Sequence, residues 1–262
     1  MTLSLEGVGV RIPVGPGREV HALTDVDLVA VPGRPHFVIG GSGSGKSTLC
    51  AAVTGLLPGT AKLTGKVAVD GHQEPRRGSV VGVVPQSAMT CFTPVRRLGG
   101  QLAETVRHLR GERGPEELLD LVGLETDALR KYPHELSGGM VQRAAIAAAL
   151  AGDPPVVVAD EPTSALDRER SRNVVALLTG LGRERVVLVA THDIDALPDD
   201  VDLSVMFASR IVETGLAYEV LKAPRHAYTR DLLAALPENG LHPLPHPTPD
   251  LVNLSADYRY GG

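Results

Sequence analysis

Short hydrophobic runs alternate with turn residues over the first 40 residues of the chain. Alternating apolar positions at residues 3–10 and 20–31 predict two β-strands on either side of a Gly-Pro-Gly turn. A compact apolar run at residues 36–39 leads into a glycine-rich segment at 40–45, and a helical spacing of apolar residues begins at Lys46. The pattern therefore predicts a strand, a glycine-rich loop and a helix in that order.

Apolar runs and helical patterns continue to alternate further along the chain. Short strands are predicted at residues 66–69, 79–84, 155–159 and 185–190, and a helix at 168–181. The run at 155–159 is continuously apolar, as expected for a strand that is buried on both faces. Residues 94–151 have a helical pattern and interrupt the β-rich parts. We therefore predict an α/β fold with a largely parallel sheet, right-handed crossovers and a helical insertion at about 94–151.

Composition excludes several classes of function. The 262 residues include 26 Lys and Arg against 31 Asp and Glu, and this net charge of −5 argues against nucleic acid as a partner. The two cysteines, Cys50 and Cys91, are too few for a disulfide framework or a four-thiolate metal site. No apolar run approaches the roughly 18 residues of a membrane span, and no signal peptide pattern opens the chain. We expect a soluble, cytoplasmic chain.

The segment that joins the first predicted helix to the preceding strand matches the phosphate-binding pattern G-x-x-x-x-G-K-[ST], the Walker A motif. Its residues are Gly40, Gly41, Ser42, Gly43, Ser44, Gly45, Lys46 and Ser47. Glycines let several backbone N–H groups converge on one phosphate chain at a helix N-terminus. Lys46 is expected to neutralise the β- and γ-phosphates, and the Ser47 hydroxyl to ligate Mg²⁺. A merely flexible turn is disfavoured because the loop lies between a strand and a helix.

An acidic pair, Asp160 and Glu161, follows the buried run VVVA. Open α/β sheets bind ligands at the carboxyl ends of their strands, so these carboxylates are expected beside the phosphate loop. Asp160 is predicted to hold Mg²⁺ and Glu161 to act as the base for an attacking water. The alternative, two acids that cap a turn, is weakened by the phosphate loop upstream.

Residues 136–143, LSGGMVQR, resemble the signature of ABC transporter ATPase subunits. The order of the other motifs is similar as well: phosphate loop, Gln86, signature, VVVADEPTSALD and Thr191-His192-Asp193. The resemblance implies a P-loop NTPase core of the ABC type, with a parallel sheet, an N-terminal antiparallel β subdomain and an inserted helical subdomain. It further implies an ATPase domain at residues 1–236. The proline-rich tail at 237–262 is expected to be either an extended strap or disordered.

The same resemblance implies roles for individual residues. Ser137, Gly138, Gly139 and Met140 would contact the ATP bound by a second ATPase subunit, and Asp167 would lie at that dimer interface. Gln86 would join Ser47 and Asp160 around Mg²⁺ and sense the attacking water. His192 would contact the γ-phosphate and position Glu161, and Thr48 completes the nucleotide-binding set.

Three further segments, residues 84–94, 132–135 and 223–233, resemble ATPases of importers for dipeptides, oligopeptides and nickel. This implies a subunit that hydrolyses ATP to power uptake of peptides, nickel or metal chelates. Its expected partners are transmembrane permease subunits, an identical or sister ATPase and, indirectly, an extracytoplasmic solute-binding protein. The expected location is the cytoplasmic face of the cell membrane.

Other functions remain as alternatives. They are the ATPase of an exporter, a soluble ABC ATPase of DNA repair or translation, and a P-loop kinase. Against the soluble ATPases, the chain has neither a long coiled coil nor a second cassette; against the kinase, LSGG would be unexplained. The chain also has two short basic pairs, Arg76–Arg77 and Arg96–Arg97. The second pair could face a membrane subunit, but a solvent-exposed position is equally compatible with the sequence.

One departure from the family concerns the base of the nucleotide. Residues 1–36 contain no Phe, Tyr or Trp to stack on adenine. Ile12, Val14 or His21 would therefore cover the base, or nothing would.

Overall fold

The computed structural model of the chain describes residues 1–72, 78–255 and 257–261. The predicted basic pair Arg76–Arg77 lies outside these ranges. The strands are β1 (Leu3–Gly15), β2 (Arg18–Ala30), β3 (His36–Ile39), β4 (Lys62–Val69), β5 (Val81–Val84), β6 (Val156–Asp160), β7 (Val186–Ala190), β8 (Asp202–Phe207) and β9 (Arg210–Leu216). The α-helices are α1 (Lys46–Thr54), α2 (Leu98–Leu109), α3 (Pro115–Leu121), α4 (Gly138–Ala149), α5 (Arg168–Leu181), α6 (Ala217–Lys222) and α7 (Ala227–Ala234).

The N-terminal strands form an antiparallel sheet in the order β2-β1-β4. Its inner face is apolar because alternate side chains of a strand point to the same face. Leu3, Leu5 and Leu23 are fully buried there and share a core with Leu49 and Val53 of α1. This packing holds β2 beside the segment that joins β3 to α1.

The second sheet has the order β5-β6-β7-β3-β8-β9. Neighbouring strands from β5 to β8 run parallel, and β9 closes the edge in the antiparallel direction. The parallel strands are buried on both faces, which explains the continuous apolar run in β6. Because β3, β6 and β7 are parallel, the segments after Ile39, Asp160 and Ala190 all leave the sheet at one edge.

Helices α2, α3 and α4 follow β5 in the chain and precede β6, as the helical pattern predicts. Leu98, Leu102, Leu118 and Ile146 are fully buried between these helices and the central sheet. Across the described residues, no helix has both the length and the apolar character that a membrane crossing requires.

The predicted fold class is confirmed, with its antiparallel sheet, parallel sheet and helical stretch. Sequence patterns assigned no elements beyond residue 190, where the structure has the hairpin of β8 and β9 and two helices. The tail at 237–262, predicted to be either an extended strap or disordered, begins with a 3-10 helix at Pro237–Asn239. Residues 241–255 and 257–261, here called the C-terminal strap, run back over the molecule, and Val252 pairs with Val20 of β2. The division of the chain at residue 236 stays a prediction.

Candidate functional site

The phosphate loop leaves β3 after Ile39 and enters α1 at Lys46. Three of its glycines have positive φ angles, 155° at Gly40, 74° at Gly43 and 110° at Gly45, which L-residues rarely adopt. At Gly45 a Cβ atom would also lie 2.9 Å from the carbonyl oxygen of Ala22 in β2. The loop conformation therefore depends on glycine at this position.

The side chain of Lys46 reaches back across the loop. Its Nζ donates to the carbonyl oxygen of Gly40 at 2.8 Å and to that of Gly41 at 3.3 Å. It also lies 3.4 Å from Oε1 of Glu161, and the lysine side chain is only 7% exposed. The ammonium group is thus held inside the loop, in contact with the acidic residue that follows β6.

Glu161 has a left-handed backbone, with φ of 47°. A non-glycine residue in this region costs about 1–3 kcal/mol, and such residues concentrate at functional sites. The conformation is fixed by the Glu161 N–H, which donates to the carbonyl oxygen of Ala190 at 2.8 Å. It directs a nearly buried carboxylate toward His192, whose backbone N–H donates to Oε2 at 3.1 Å and whose Nδ1 lies 2.5 Å from the same oxygen.

Asp160 and Ser47 lie side by side next to this pair. The Ser47 hydroxyl donates to Oδ1 of Asp160 at 3.0 Å. Burial raises the pKa of the Asp160 carboxyl, and the charge of Glu161 adds to this rise, whereas the Ser47 hydrogen bond and Lys46 oppose it. A hydroxyl and a carboxylate at this distance are the hard oxygen donors that Mg²⁺ prefers, so the predicted metal residues fit that ion.

A groove of about 460 Å³ runs along the phosphate loop. Its lining contains most of the predicted nucleotide and catalytic residues: Ser42, Gly43, Ser44, Gly45, Lys46, Ser47, Thr48, Gln86 and Glu161. The remaining lining residues are apolar: Ile12, Val20, Ala22 and Leu251. Of the three residues proposed to cover adenine, Ile12 lines the groove; within the described chain, Val14 and His21 are not part of this lining.

The signature residues lie elsewhere in the chain. Ser137 caps α4 by accepting a hydrogen bond from the Met140 N–H at 3.4 Å. With Gly139 and Met140 it lines a separate cavity, which also contains Arg143 and Arg170. Within one subunit, the described residues therefore do not bring the signature to the phosphate loop.

Asp167 connects the signature to α5. Its carboxylate accepts from the Arg170 N–H at 2.9 Å and pairs with the Arg170 guanidinium at 2.9 Å. Arg170 in turn lies against Gly139, where a Cβ would be 3.3 Å from its Cδ. The predicted interface residue is thus adjacent to the predicted signature.

Sequence patterns missed two contacts of this site. The Tyr228 hydroxyl accepts a hydrogen bond from the Gly41 N–H at 2.9 Å, and its ring is buried. Leu251 reaches the groove from the C-terminal strap. Both residues are far from the phosphate loop in sequence. Tyr228 belongs to the segment 223–233 that resembles importer ATPases, but that resemblance does not indicate a contact with the loop.

Comparison with known proteins decides the family. The profile described as ABC transporter matches residues 23–164, more than half of the chain. The chain belongs to the ABC transporter family. Among the relatives of this ABC ATPase is a putative peptide import ATP-binding protein of Brucella ovis, 38% identical over 91% of this chain and 82% of the relative. The oligopeptide transport ATP-binding protein OppD of Bacillus subtilis is 35% identical over 90% of this chain and 74% of the relative.

Solved structures agree with this assignment. The dimeric structure of MJ0796, a bacterial ABC transporter cassette, superposes with a TM-score of 0.70 at 27% identity, covering 82% of this chain and 98% of that one. A post-hydrolysis dimer of the same cassette, bound to ADP and Pi, superposes with a TM-score of 0.69. The predicted resemblance to ATP-binding subunits of peptide importers is confirmed, as is the prediction of an ABC-type ATPase.

Proposed function

We propose that this ABC ATPase powers the import of peptides by hydrolysing ATP between two ATPase subunits attached to membrane permeases. The observation that carries the proposal is that Glu161, which lines the groove, contacts both Lys46 and His192. The peptide substrate is proposed because the Brucella and Bacillus relatives are named for peptide transport. Nickel or a metal chelate would be the competing solute.

The groove suits a triphosphate. Backbone N–H groups of residues 42, 43 and 45–47 would hold the β- and γ-phosphates, and Lys46 would exchange its contacts with Gly40 and Glu161 for phosphate oxygens. Ser47 and Asp160, with Gln86 on the same lining, would hold Mg²⁺. When bound, the ion would neutralise charge on the phosphate oxygens.

Glu161 is proposed as the base. Its carboxylate would accept the proton of the water that attacks the γ-phosphorus. An ionised carboxylate can only accept, so Nδ1 of His192 carries the proton in their hydrogen bond and the ring is fixed in orientation. In the doubly protonated ring Nε2 would donate to the γ-phosphate as well, because phosphate oxygens only accept. His192 is thus both a positioning residue for Glu161 and a ligand of the substrate.

A composite site between two subunits is proposed from the signature. Gly138 is the first residue of α4, directly after Ser137, and it is exposed. Its own chain does not demand glycine, because a Cβ would meet only Leu166 Cδ2 at an ordinary 3.6 Å. Close approach of a partner subunit's nucleotide would account for this exposed glycine.

The other proposed partners follow from import itself. A peptide must cross the membrane through permease subunits, with a solute-binding protein acting on the far side, and this ATPase would be bound at the cytoplasmic face. The exposed side chains of Met89 and Val95, which follow Gln86 in the chain, are proposed to face the permease.

The test is solute uptake in cells of the source organism that carry either the wild-type gene or Glu161→Gln. Labelled oligopeptides and labelled Ni²⁺ are supplied in parallel. Loss of peptide uptake alone supports the proposal. Loss of Ni²⁺ uptake alone assigns the transporter to nickel, and unchanged uptake of both contradicts an import role for these solutes.

A further inference from the structure

We propose that the C-terminal strap completes the nucleotide site, with Leu251 packing against the base of bound ATP. The inference rests on the proposed nucleotide site and extends it to a segment that lies at the opposite end of the sequence. It assigns the cover of the base to Leu251 together with Ile12, Val20 and Ala22, in place of an aromatic ring.

The strap is bonded to β2 beside the groove. The His21 N–H donates to the carbonyl oxygen of Leu251 at 2.9 Å, and the Asn253 N–H to that of Glu19 at 2.8 Å. Side-chain bonds reinforce this pairing: Oδ1 of Asn253 accepts from the Glu19 N–H at 3.0 Å, and its Nδ2 donates to the carbonyl oxygen of Gly17 at 3.1 Å. Leu251 is therefore held at a fixed position next to Val20 and Ala22.

The distal part of the strap is anchored as well. The Tyr260 ring packs edge-to-face on Phe207 and Tyr228, with centroid distances of 5.0 and 5.3 Å. Its hydroxyl donates to Oδ2 of Asp231 at 2.8 Å. Tyr228 is the residue whose hydroxyl accepts from Gly41, so the same aromatic cluster contacts both the strap and the phosphate loop.

The groove has a polar part, which suits the triphosphate of a nucleotide, and an aliphatic part, which suits its base. Backbone N–H groups, Lys46, Ser47, Gln86 and Glu161 suit the triphosphate and its cation. The rest of the lining is aliphatic and suits the flat faces of a base, which pack well against methyl and methylene groups. Because no aromatic residue belongs to the described lining, the aliphatic side chains must provide that contact. Leu251 is among the largest of them.

The experiment compares binding of AMP-PNP and of inorganic tripolyphosphate to the full-length chain by calorimetry. Leu251→Ser is tested against Leu244→Ser, a matched control, because Leu244 is also a half-buried strap leucine that packs on the same core but does not line the groove. Leu251→Ser is expected to raise the Kd for AMP-PNP about fivefold to tenfold. Tripolyphosphate affinity should not change, and Leu244→Ser should bind both ligands as the wild type does.

Weaker binding by Leu251→Ser could also result from misfolding, so a second variant that is expected to bind AMP-PNP more tightly is tested as well. Leu251→Tyr should bind AMP-PNP more tightly than the wild type, because a ring can stack on the base, and tripolyphosphate equally well. Equal AMP-PNP affinities in wild type, Leu251→Ser and Leu251→Tyr would overturn the inference. So would parallel losses for both ligands in Leu251→Ser, since the residue would then act on the phosphate loop.

If the proposed nucleotide site were wrong, the binding measurements would give a different result. In that case the wild type would bind neither ligand, or Lys46→Ala would leave both affinities unchanged. The expected result for Lys46→Ala is a loss of both AMP-PNP and tripolyphosphate binding. The variants of Leu251 and Lys46 therefore distinguish a wrong base contact from a wrong phosphate site.

Discussion

Nδ1 of His192 lies 2.5 Å from Oε2 of Glu161, and the His192 backbone N–H donates to the same oxygen. The histidine side chain is 60% exposed, whereas that of the glutamate is 10% exposed. One carboxylate oxygen is thus fixed by His192, and the other faces Lys46. Both oxygens of the carboxylate that we propose as the base are therefore held by neighbouring residues.

Glu161→Gln should reduce ATP turnover about 10²–10⁴-fold, because the amide keeps the shape of the side chain but cannot take up a proton. ATP affinity should be retained, since the amide no longer pairs with Lys46 and leaves its ammonium available to phosphate. Phosphate release and ATP binding are measured on the same preparation. Turnover close to that of the wild type would mean that another group is the base.

His192→Ala should also lower turnover by at least tenfold while ATP binding remains within severalfold of the wild type. The carboxylate of Glu161 keeps the backbone hydrogen bond but loses the ring that fixes its rotamer. His108→Ala, which removes an exposed histidine from α2, is the control. Equal turnover in both variants would contradict the positioning role of His192.

Mixing two inactive variants should restore ATPase activity if the active site is shared between identical subunits. Lys46→Ala disables the phosphate loop and Ser137→Arg blocks the signature, so the mixed dimer has one site with both defects and one site with neither. Phosphate release is measured after the variants are combined with ATP. Activity that is independent of protein concentration, in a chain that stays monomeric with ATP, would exclude the composite site.

A heteromeric pair gives a different outcome in the same assay. The wild type would then be inactive alone and become active when a sister ATPase is added. Its Ser137→Arg variant would remove one of the two composite sites in that complex.

Stability should fall between pH 7 and pH 5 because of His36 in β3. This side chain is 3% exposed, and Nε2 lies 2.8 Å from the Ser204 hydroxyl. Burial lowers its pKa from 6.5 to about 4, although the charge of Asp202 opposes the shift. The unfolded chain binds a proton below about pH 6.5 that the folded chain accepts only below about pH 4, so stability is lost as the pH falls through this range.

At pH 5 this loss amounts to about 2 kcal/mol in the free energy of unfolding. Urea unfolding at pH 7 and pH 5 measures it. The difference between the two pH values should be smaller by about that amount in His36→Gln than in the wild type. His108→Gln serves as the exposed-histidine control and should retain the wild-type difference.

Sequence patterns predicted the parts of the site that are local in the chain. Gly45 and Lys46 are recognised from their spacing within one loop, and the strand before Glu161 from its continuous apolar run. The left-handed backbone of Glu161 is not visible in the pattern, because it depends on a hydrogen bond to Ala190 in another strand.

Contacts between distant segments could not be predicted. Tyr228 reaches Gly41 and Leu251 reaches His21 through tertiary packing, and neither pair leaves a periodic signal in the sequence. The order of the strands in the central sheet could not be predicted either. The apolar run of β3 gives no indication that β7 and β8 flank it, because a strand buried on both faces has the same appearance next to any neighbours.

This strand order has a consequence for the nascent chain. The phosphate loop and β3 leave the ribosome early, but the two strands that flank β3 belong to the last third of the sequence. Long-range parallel pairing of this kind is slow and leaves strand edges exposed until it is complete. The edges of β3 therefore stay unpaired through most of translation, and premature termination before Phe207 yields a product whose phosphate loop has no finished sheet to support it.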